Sequence, residues 1–172
     1  AVKHMLYDTV RGGGKVLVPS STAAEGGFSA SGLTDFIQDG WSTQTGGDSD
    51  INDATKSFIS WGWKAGGVPS ADNDNTSGAM DANSVSLNGV LQAAYTPASG
   101  VHTLIYPNKM SINTAGGFSI VEYVGAAATR NVPHGLTAAP QMIIVKKHTA
   151  TDGWFVYSEF LPSPEDTVVY LN

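Results

Sequence analysis

No cysteine occurs in the 172 residues, which removes disulfides, iron–sulfur clusters, thiolate zinc sites and cysteine nucleophiles from consideration. Charge is scarce as well. Asp, Glu, Lys and Arg make up 14 % of the chain, and acids outnumber bases for a net charge of −6. Phosphate neutralisation by Lys and Arg carries affinity for nucleic acid, so a chain of this balance is expected to have no nucleic-acid partner. Long apolar runs are missing too. The longest, around Met142 to Val145, falls far short of the ~20 residues a membrane helix needs, and no membrane insertion is expected. No stretch reads as a signal peptide. None carries a capped apolar stripe of 3.6-residue period, so no helix is predicted.

What remains is rich in small residues, with 20 glycines among abundant Ser, Thr, Ala and Asn. Gly, Asn and Asp supply the backbone angles that tight turns demand, and between apolar runs they imply many short strands. Disorder is excluded, because 41 % hydrophobic residues, four of them tryptophan, can support a core. Strands are predicted at Lys15 to Pro19, Ser57 to Lys64, Ser84 to Tyr95, Val101 to Tyr106, Gly117 to Gly125, Gln141 to Lys146, Trp154 to Ser158 and Asp166 to Leu171. Ser57 to Lys64 alternates best: Ile59, Trp61 and Trp63 share one face, while Phe58, Ser60 and Gly62 share the other. Gly27 to Gln38 reads as mixed structure, Ser42 to Asp53 and Ala65 to Ala82 as loops. The unbroken run Met142 to Val145 predicts a strand covered on both faces. The expectation is an all-β fold, an antiparallel β-sandwich of jelly-roll or concanavalin-like kind with long Gly/Asn/Asp-rich loops. Residues 1–172 read as a single β-rich domain, part of a longer polypeptide. Gly26-Gly27-Phe28-Ser29 echoes Gly116-Gly117-Phe118-Ser119, too briefly to define a repeat.

Motifs of chemistry fail on inspection. Gly12-Gly13-Gly14-Lys15 is not a phosphate loop, since Thr9 stands where its first glycine belongs and Val16 where its hydroxyl residue belongs. Gly27 to Ser31 approaches a nucleophile elbow but ends in serine where the tight turn needs glycine. Asp48, Asp50 and Asn52, and again Asp72, Asp74 and Thr76, alternate as calcium ligands do. Neither series has the glycine and glutamate that complete an EF-hand, so both are expected to be solvated turns. The histidines His4, His102, His134 and His148 never fall at zinc-enzyme spacing, and His134 is expected to bond backbone within a turn. Glu122 is the most eligible acid, yet a strand glutamate facing outward is the commoner case. Trp41, Trp61, Trp63, Trp154, Tyr123 and Tyr157 could stack on sugar rings, but Trp61 and Trp63 are expected in the core. No catalytic residue, metal site or cofactor is assigned, and the chain is expected not to be an enzyme.

Several segments together resemble a known family. They are Tyr7-Asp8-Thr9-Val10-Arg11-Gly12, Ser60-Trp61-Gly62-Trp63-Lys64-Ala65-Gly66-Gly67 and Gly116 to Val121 with Tyr123 and Gly125. Pro133-His134-Gly135-Leu136 with Ala139 to Lys146, and Trp154-Phe155-Val156-Tyr157, follow in order. The pattern is similar to an uncharacterised domain of marine bacteriophage structural proteins, tail-fibre or appendage chains that often carry concanavalin-like lectin domains alongside. This sequence departs from it between Val68 and Asn113, where residues 79–106 read as an inserted hairpin. The resemblance implies a virion component exposed on the particle surface. Its expected partners are other copies of itself, as a trimer or a repeated array, other virion proteins, and host-surface glycan. A carbohydrate-binding module or surface adhesin is the alternative, and a glycan-degrading enzyme ranks last.

Overall fold

Short apolar segments separated by glycine and asparagine turns supply the strands of this fold. The computed structural model describes residues 4–27, 32–44 and 51–171, and among these there are eleven strands and no helix. In chain order they are β1 (Lys15–Val16), β2 (Gly26–Gly27), β3 (Leu33–Ile37), β4 (Gly40–Thr43), β5 (Val85–Leu87) and β6 (Val90–Leu91). β7 (Lys109–Asn113), β8 (Phe118–Glu122), β9 (Met142–Lys146), β10 (Trp154–Ser158) and β11 (Val169–Tyr170) complete the set. The chain is all-β, as its composition predicts. Pairing is antiparallel except between β5 and β7, which run parallel.

Two compact units are distinguishable, one from residues 1–60 and 140–172, the other from residues 61–139. The first holds the pairs β1–β2 and β3–β4 and the sheet β11-β10-β9. Its buried apolar residues include Val16, Leu17, Leu33, Trp154 and Val156. Trp154, only 2 % exposed, donates its indole N–H to the Ser21 carbonyl at 3.1 Å, so the strand β10 is pinned to the segment after β1.

The second unit is the sheet β6-β5-β7-β8. One face carries Val85, Met110 and Ile112, which pack with Met80 and are surrounded by Leu87, Tyr95, Tyr106, Val121 and Leu136. The other face is polar and equally buried. Ser86, Ser111 and Asn113 lie there, satisfied by backbone carbonyls of a crossing segment. Ser86 Oγ donates to the Gly66 carbonyl at 2.7 Å, Ser111 Oγ to Gly67 at 2.6 Å, and Asn113 Nδ2 to Lys64 at 2.9 Å. A Cβ on Gly66 would overlap the Ile112 backbone, so glycine there is a condition of the close approach. Gly66-Gly67 therefore covers the sheet.

Several sequence expectations change. Ser57 to Lys64 forms no strand, because no described strand pairs with it. Alternation shows which side chains could share a face, not that a partner is present. Ser84 to Tyr95 is not one strand but the hairpin β5–β6, turned at Asn88-Gly89 where both φ angles are positive, 52° and 89°. That Asn-Gly pair is the strongest local hairpin signal, and the continuous reading passed over it. The hairpin lies within segment 79–106 and is extended by a bridge between Met80 and Tyr95. Val101 to Tyr106 contributes only an isolated bridge, Leu104 to Asn131. β3–β4 occupies ground read as mixed structure and loop. β9 does not have both faces covered: Met142, Ile143, Ile144 and Val145 are all exposed. The echo at Gly26-Gly27 and Gly116-Gly117 also dissolves, since the first pair is a strand and the second a turn.

Candidate functional site

The buried Ser86/Ser111/Asn113 row fixes the chain at Lys64, Gly66 and Gly67, and the residues just before it reach into solvent. Trp61 is 68 % exposed and Trp63 66 %, with Phe58 and Ile59 exposed as well. The expectation that Trp61 and Trp63 form core is overturned, for the strand that would have turned them inward has no partner. Trp154 is the core tryptophan. Trp41, on β4, is also open to solvent, and Tyr123 and Tyr157 are half-buried. Two indoles two residues apart on a firmly anchored segment present flat apolar surface to a ligand or another chain.

A second surface lies within the unit of residues 61–139. An open cleft of about 390 Å³ is lined in part by Asp74, Asn75, Thr76, Tyr106 and Arg130. Its wall is set by Asn73, a buried polar residue. Asn73 Nδ2 donates to the Asn75 carbonyl at 3.0 Å and to the Pro107 carbonyl at 2.9 Å. Its Oδ1 accepts from the Asp81 N–H at 2.9 Å. Asp81 in turn accepts from the Asp74 N–H at 2.8 Å and from Asn75 Nδ2 at 2.9 Å. Asp72 pairs with Lys109 at 2.8 Å. Of the alternating series, Asp72 is engaged through its carboxylate and Asp74 through its backbone N–H, while the carboxylate that shapes the loop is that of Asp81. Asp48 and Asp50, the other calcium-like series, lie outside the described residues, and Asn52 donates to Thr43 Oγ1 at 3.0 Å. Among the described residues, no group of three or more His, Asp or Glu side chains is placed to hold a metal ion.

The unit of residues 1–60 and 140–172 brings several ion pairs together at one place. Asp8 closes a turn by accepting from the N–H groups of Val10 and Arg11, at 3.0 and 2.9 Å, and pairs with Arg11 Nε at 2.6 Å. The Arg11 side chain, 7 % exposed, also reaches Glu25 at 3.1 Å. Lys15 meets Glu25 at 3.2 Å, and His148 Nδ1 lies 3.6 Å from the same carboxylate. Burial pushes the Glu25 carboxyl up, but hydrogen bonds and charge from Lys15 and Arg11 outweigh it and hold it below its ordinary value. Arg11 Nη2 and Thr9 Oγ1 are buried without a hydrogen-bond partner. Sequence reasoning missed this cluster. Its one signal was the Tyr7 to Gly12 segment, whose Asp and Arg three apart suit a capped turn.

The remaining candidates disperse. His134 does bond backbone in a turn: its Nδ1 accepts the Leu136 N–H at 3.0 Å. Pro133-His134-Gly135-Leu136 belongs to one unit and β9 to the other. His4 and His102 are exposed, and Glu122 is half-buried at the end of β8. Most of the elbow-like Gly27 to Ser31 lies outside the described residues.

Comparison with known proteins places these surfaces in a family. Residues 1–96 and 92–172 match the family described as Domain of unknown function (DUF7483), and since the matches span the whole chain, the chain belongs to it. No curated protein and no solved structure matches.

Proposed function

We propose that the chain is a non-catalytic structural domain of a bacteriophage virion, a tail-fibre or other appendage module that acts by surface contact. It stands on the particle surface, assembles with copies of itself and other virion proteins, and carries attachment to the host. The observation that supports this most is the solvent-exposed placement of large apolar side chains on defined elements, above all β9 and the Trp61/Trp63 segment. Isolated exposed apolar residues are ordinary, whereas contiguous ones mark surfaces that meet something else. The sequence resemblance to phage structural domains supports the same reading, and a jelly-roll or concanavalin-like sandwich is part of the proposal. Antiserum raised against the chain should label appendages of purified particles in electron microscopy. Label confined to the particle-free lysate would overturn the reading.

A second reading, a carbohydrate-binding module or adhesin, is favoured by exposed Trp61 and Trp63, since indole faces stack on sugar rings. The Tyr106 and Arg130 cleft adds hydrogen-bonding groups of the kind sugar hydroxyls require. A glycan array probed with the chain and with a Trp61→Ala, Trp63→Ala double variant separates the two. Binding that the double variant loses supports attachment through glycan, and no binding leaves assembly as the only role for those side chains.

A further inference from the structure

We propose that β9 is a self-pairing edge: two copies of the chain join antiparallel through Met142–Lys146, about a two-fold axis at Ile144. The inference deepens the assembly part of the proposed function and rests on it for its use. The pairing itself is measurable on the purified chain.

Among the described residues, the strand order β11-β10-β9 leaves one side of β9 open. Which backbone groups face that side follows from the register. The Glu159 N–H donates to the Gln141 carbonyl at 3.0 Å, and Gln141 and Glu159 continue the ladder in which Met142 faces Ser158 and Ile143 faces Tyr157. Hydrogen-bonded and non-bonded pairs alternate along an antiparallel ladder. Ile143 and Val145 therefore turn their N–H and C=O groups toward β10, and Met142, Ile144 and Lys146 turn theirs outward.

Open edges are hazardous, and proteins ordinarily blunt them with charge, proline, bulges or brevity. The other edge strands here are shorter than β9 or carry charge. β6 and β11 have two residues each, β3 carries Asp35 beside a break in register, and β8 carries Ser119 and Glu122. β9 has five residues, and from Met142 to Val145 it holds no charge, proline or bulge. Pro140 precedes it and Lys146-Lys147 follow it. Its side chains are bared on both faces, Met142 59 % and Ile144 50 % exposed on one, Ile143 and Val145 exposed on the other. An uninterrupted apolar strand of this kind is the signature of burial on both faces.

The occupant that fits is a second copy, because the strand is complementary to itself. Antiparallel pairing about Ile144 sets Ile143 opposite the partner's Val145 and Ile144 opposite the partner's Ile144. Met142 then lies opposite the partner's Lys146, so the two lysines never face each other. Lys146 needs no new counter-charge, its Nζ being bonded to the carbonyls of Lys147 at 2.8 Å and Ala150 at 3.3 Å. Met142, Ile144 and Lys146, the residues with outward backbone groups, are the ones that such pairing brings together in exchange of N–H···O bonds. The apolar face of Ile143, Val145, Phe155 and Tyr170 becomes continuous across the two copies. Such a contact is isologous and closes on itself.

Light scattering coupled to size exclusion on the purified chain tests the proposal. The wild-type chain should have the mass of two copies at high micromolar concentration. Ile144→Lys and Ile144→Glu, which put like charges face to face across the axis, should each give folded single chains with unchanged circular dichroism. Mixing the two variants in equal amounts should restore the dimer, because lysine then faces glutamate. Hydrogen exchange should show the amides of Met142, Ile144 and Lys146 protected in the wild type and in the mixture, and open in either variant alone. A monomeric wild type would overturn the proposal. So would an oligomer that persists in the Ile144→Lys variant, or one in which those amides stay open; these two results leave the assembly reading standing with another interface.

Discussion

At the scale of single residues, the structure separates glycines and tryptophans that look equivalent in the sequence. Gly62 and Gly66 both follow an aromatic strand-like pattern, but a Cβ on Gly62 meets nothing, whereas on Gly66 it overlaps the backbone of Ile112. Gly66→Ala should therefore destabilise the unit of residues 61–139 by ~3 kcal/mol or more, since β7 backbone, and not a flexible side chain, must move. Gly62→Ala should stay within about 0.5 kcal/mol. Urea titration of both variants checks the contrast, and equal effects would contradict the described crossing. The tryptophans divide in the same way. Trp154 is buried and hydrogen-bonded, so Trp154→Ala should cost ~3–5 kcal/mol. Trp61→Ala should cost less than about 1 kcal/mol. Fluorescence should report the same division: removing Trp154 shifts the mean emission to the red, while removing Trp61 shifts it to the blue.

At the scale of elements, the charge cluster links β1 and β2 to the loop that follows β9. Besides its ion pairs, Glu25 donates its backbone N–H to the His148 carbonyl at 2.7 Å. Its carboxyl lies below the ordinary value of 4.5 in the folded chain. A carboxyl depressed on folding contributes stability that is fully present above the unfolded value and is lost as pH falls through the folded one. Stability should thus decline as pH drops below about 4.5, and Glu25→Gln should flatten part of that decline. The same variant should lose ~1–3 kcal/mol at neutral pH, because charged hydrogen bonds in a largely buried site disappear. Melting curves across pH 3 to 7 (roughly the span over which carboxylates titrate) measure both effects, and a slope unchanged by the substitution would refute the assignment. How far the elements were legible follows from what each one buries. β8, β9 and β10 were readable because their apolar runs are local. β7 was not, although it is the best-buried strand, because Ser111 and Asn113 read as surface residues until the carbonyls of Gly67 and Lys64 are brought over them. The charge cluster was illegible for a related reason: Asp8, Glu25 and His148 meet only through folding. The converse error came from Trp61 and Trp63, whose alternation suggests a strand that finds no partner.

At the scale of the whole chain, the division into two units makes an energetic claim that a fragment can test. Residues 61–139 are continuous in sequence, whereas the other unit is assembled from two separated stretches. Everything described as holding the continuous unit together closes within it. Its apolar face runs from Met80 to Leu136, and its polar face is satisfied by Lys64, Gly66 and Gly67. Asn73 ties the loop before β5 to the residues before β7, through Pro107 and Asn108. A small domain buries a smaller share of its unfolded surface than a large one, so the margin is thin, but chains of ~60 residues do fold alone. The expressed fragment 61–139 should accordingly unfold cooperatively in urea, with a slope near ~1 kcal/mol per molar. Its amide spectrum should be dispersed, with the N–H groups of Met110 and Ile112 among the slowest to exchange, since both residues are fully buried in β7. Gly66→Ala should abolish the transition in the fragment while only lowering it in the full chain if further stability comes from outside residues 61–139. A wild-type fragment with a collapsed spectrum and no transition would show that the compact unit does not fold independently, and that the apolar face centred on Ile112 needs the rest of the polypeptide to form.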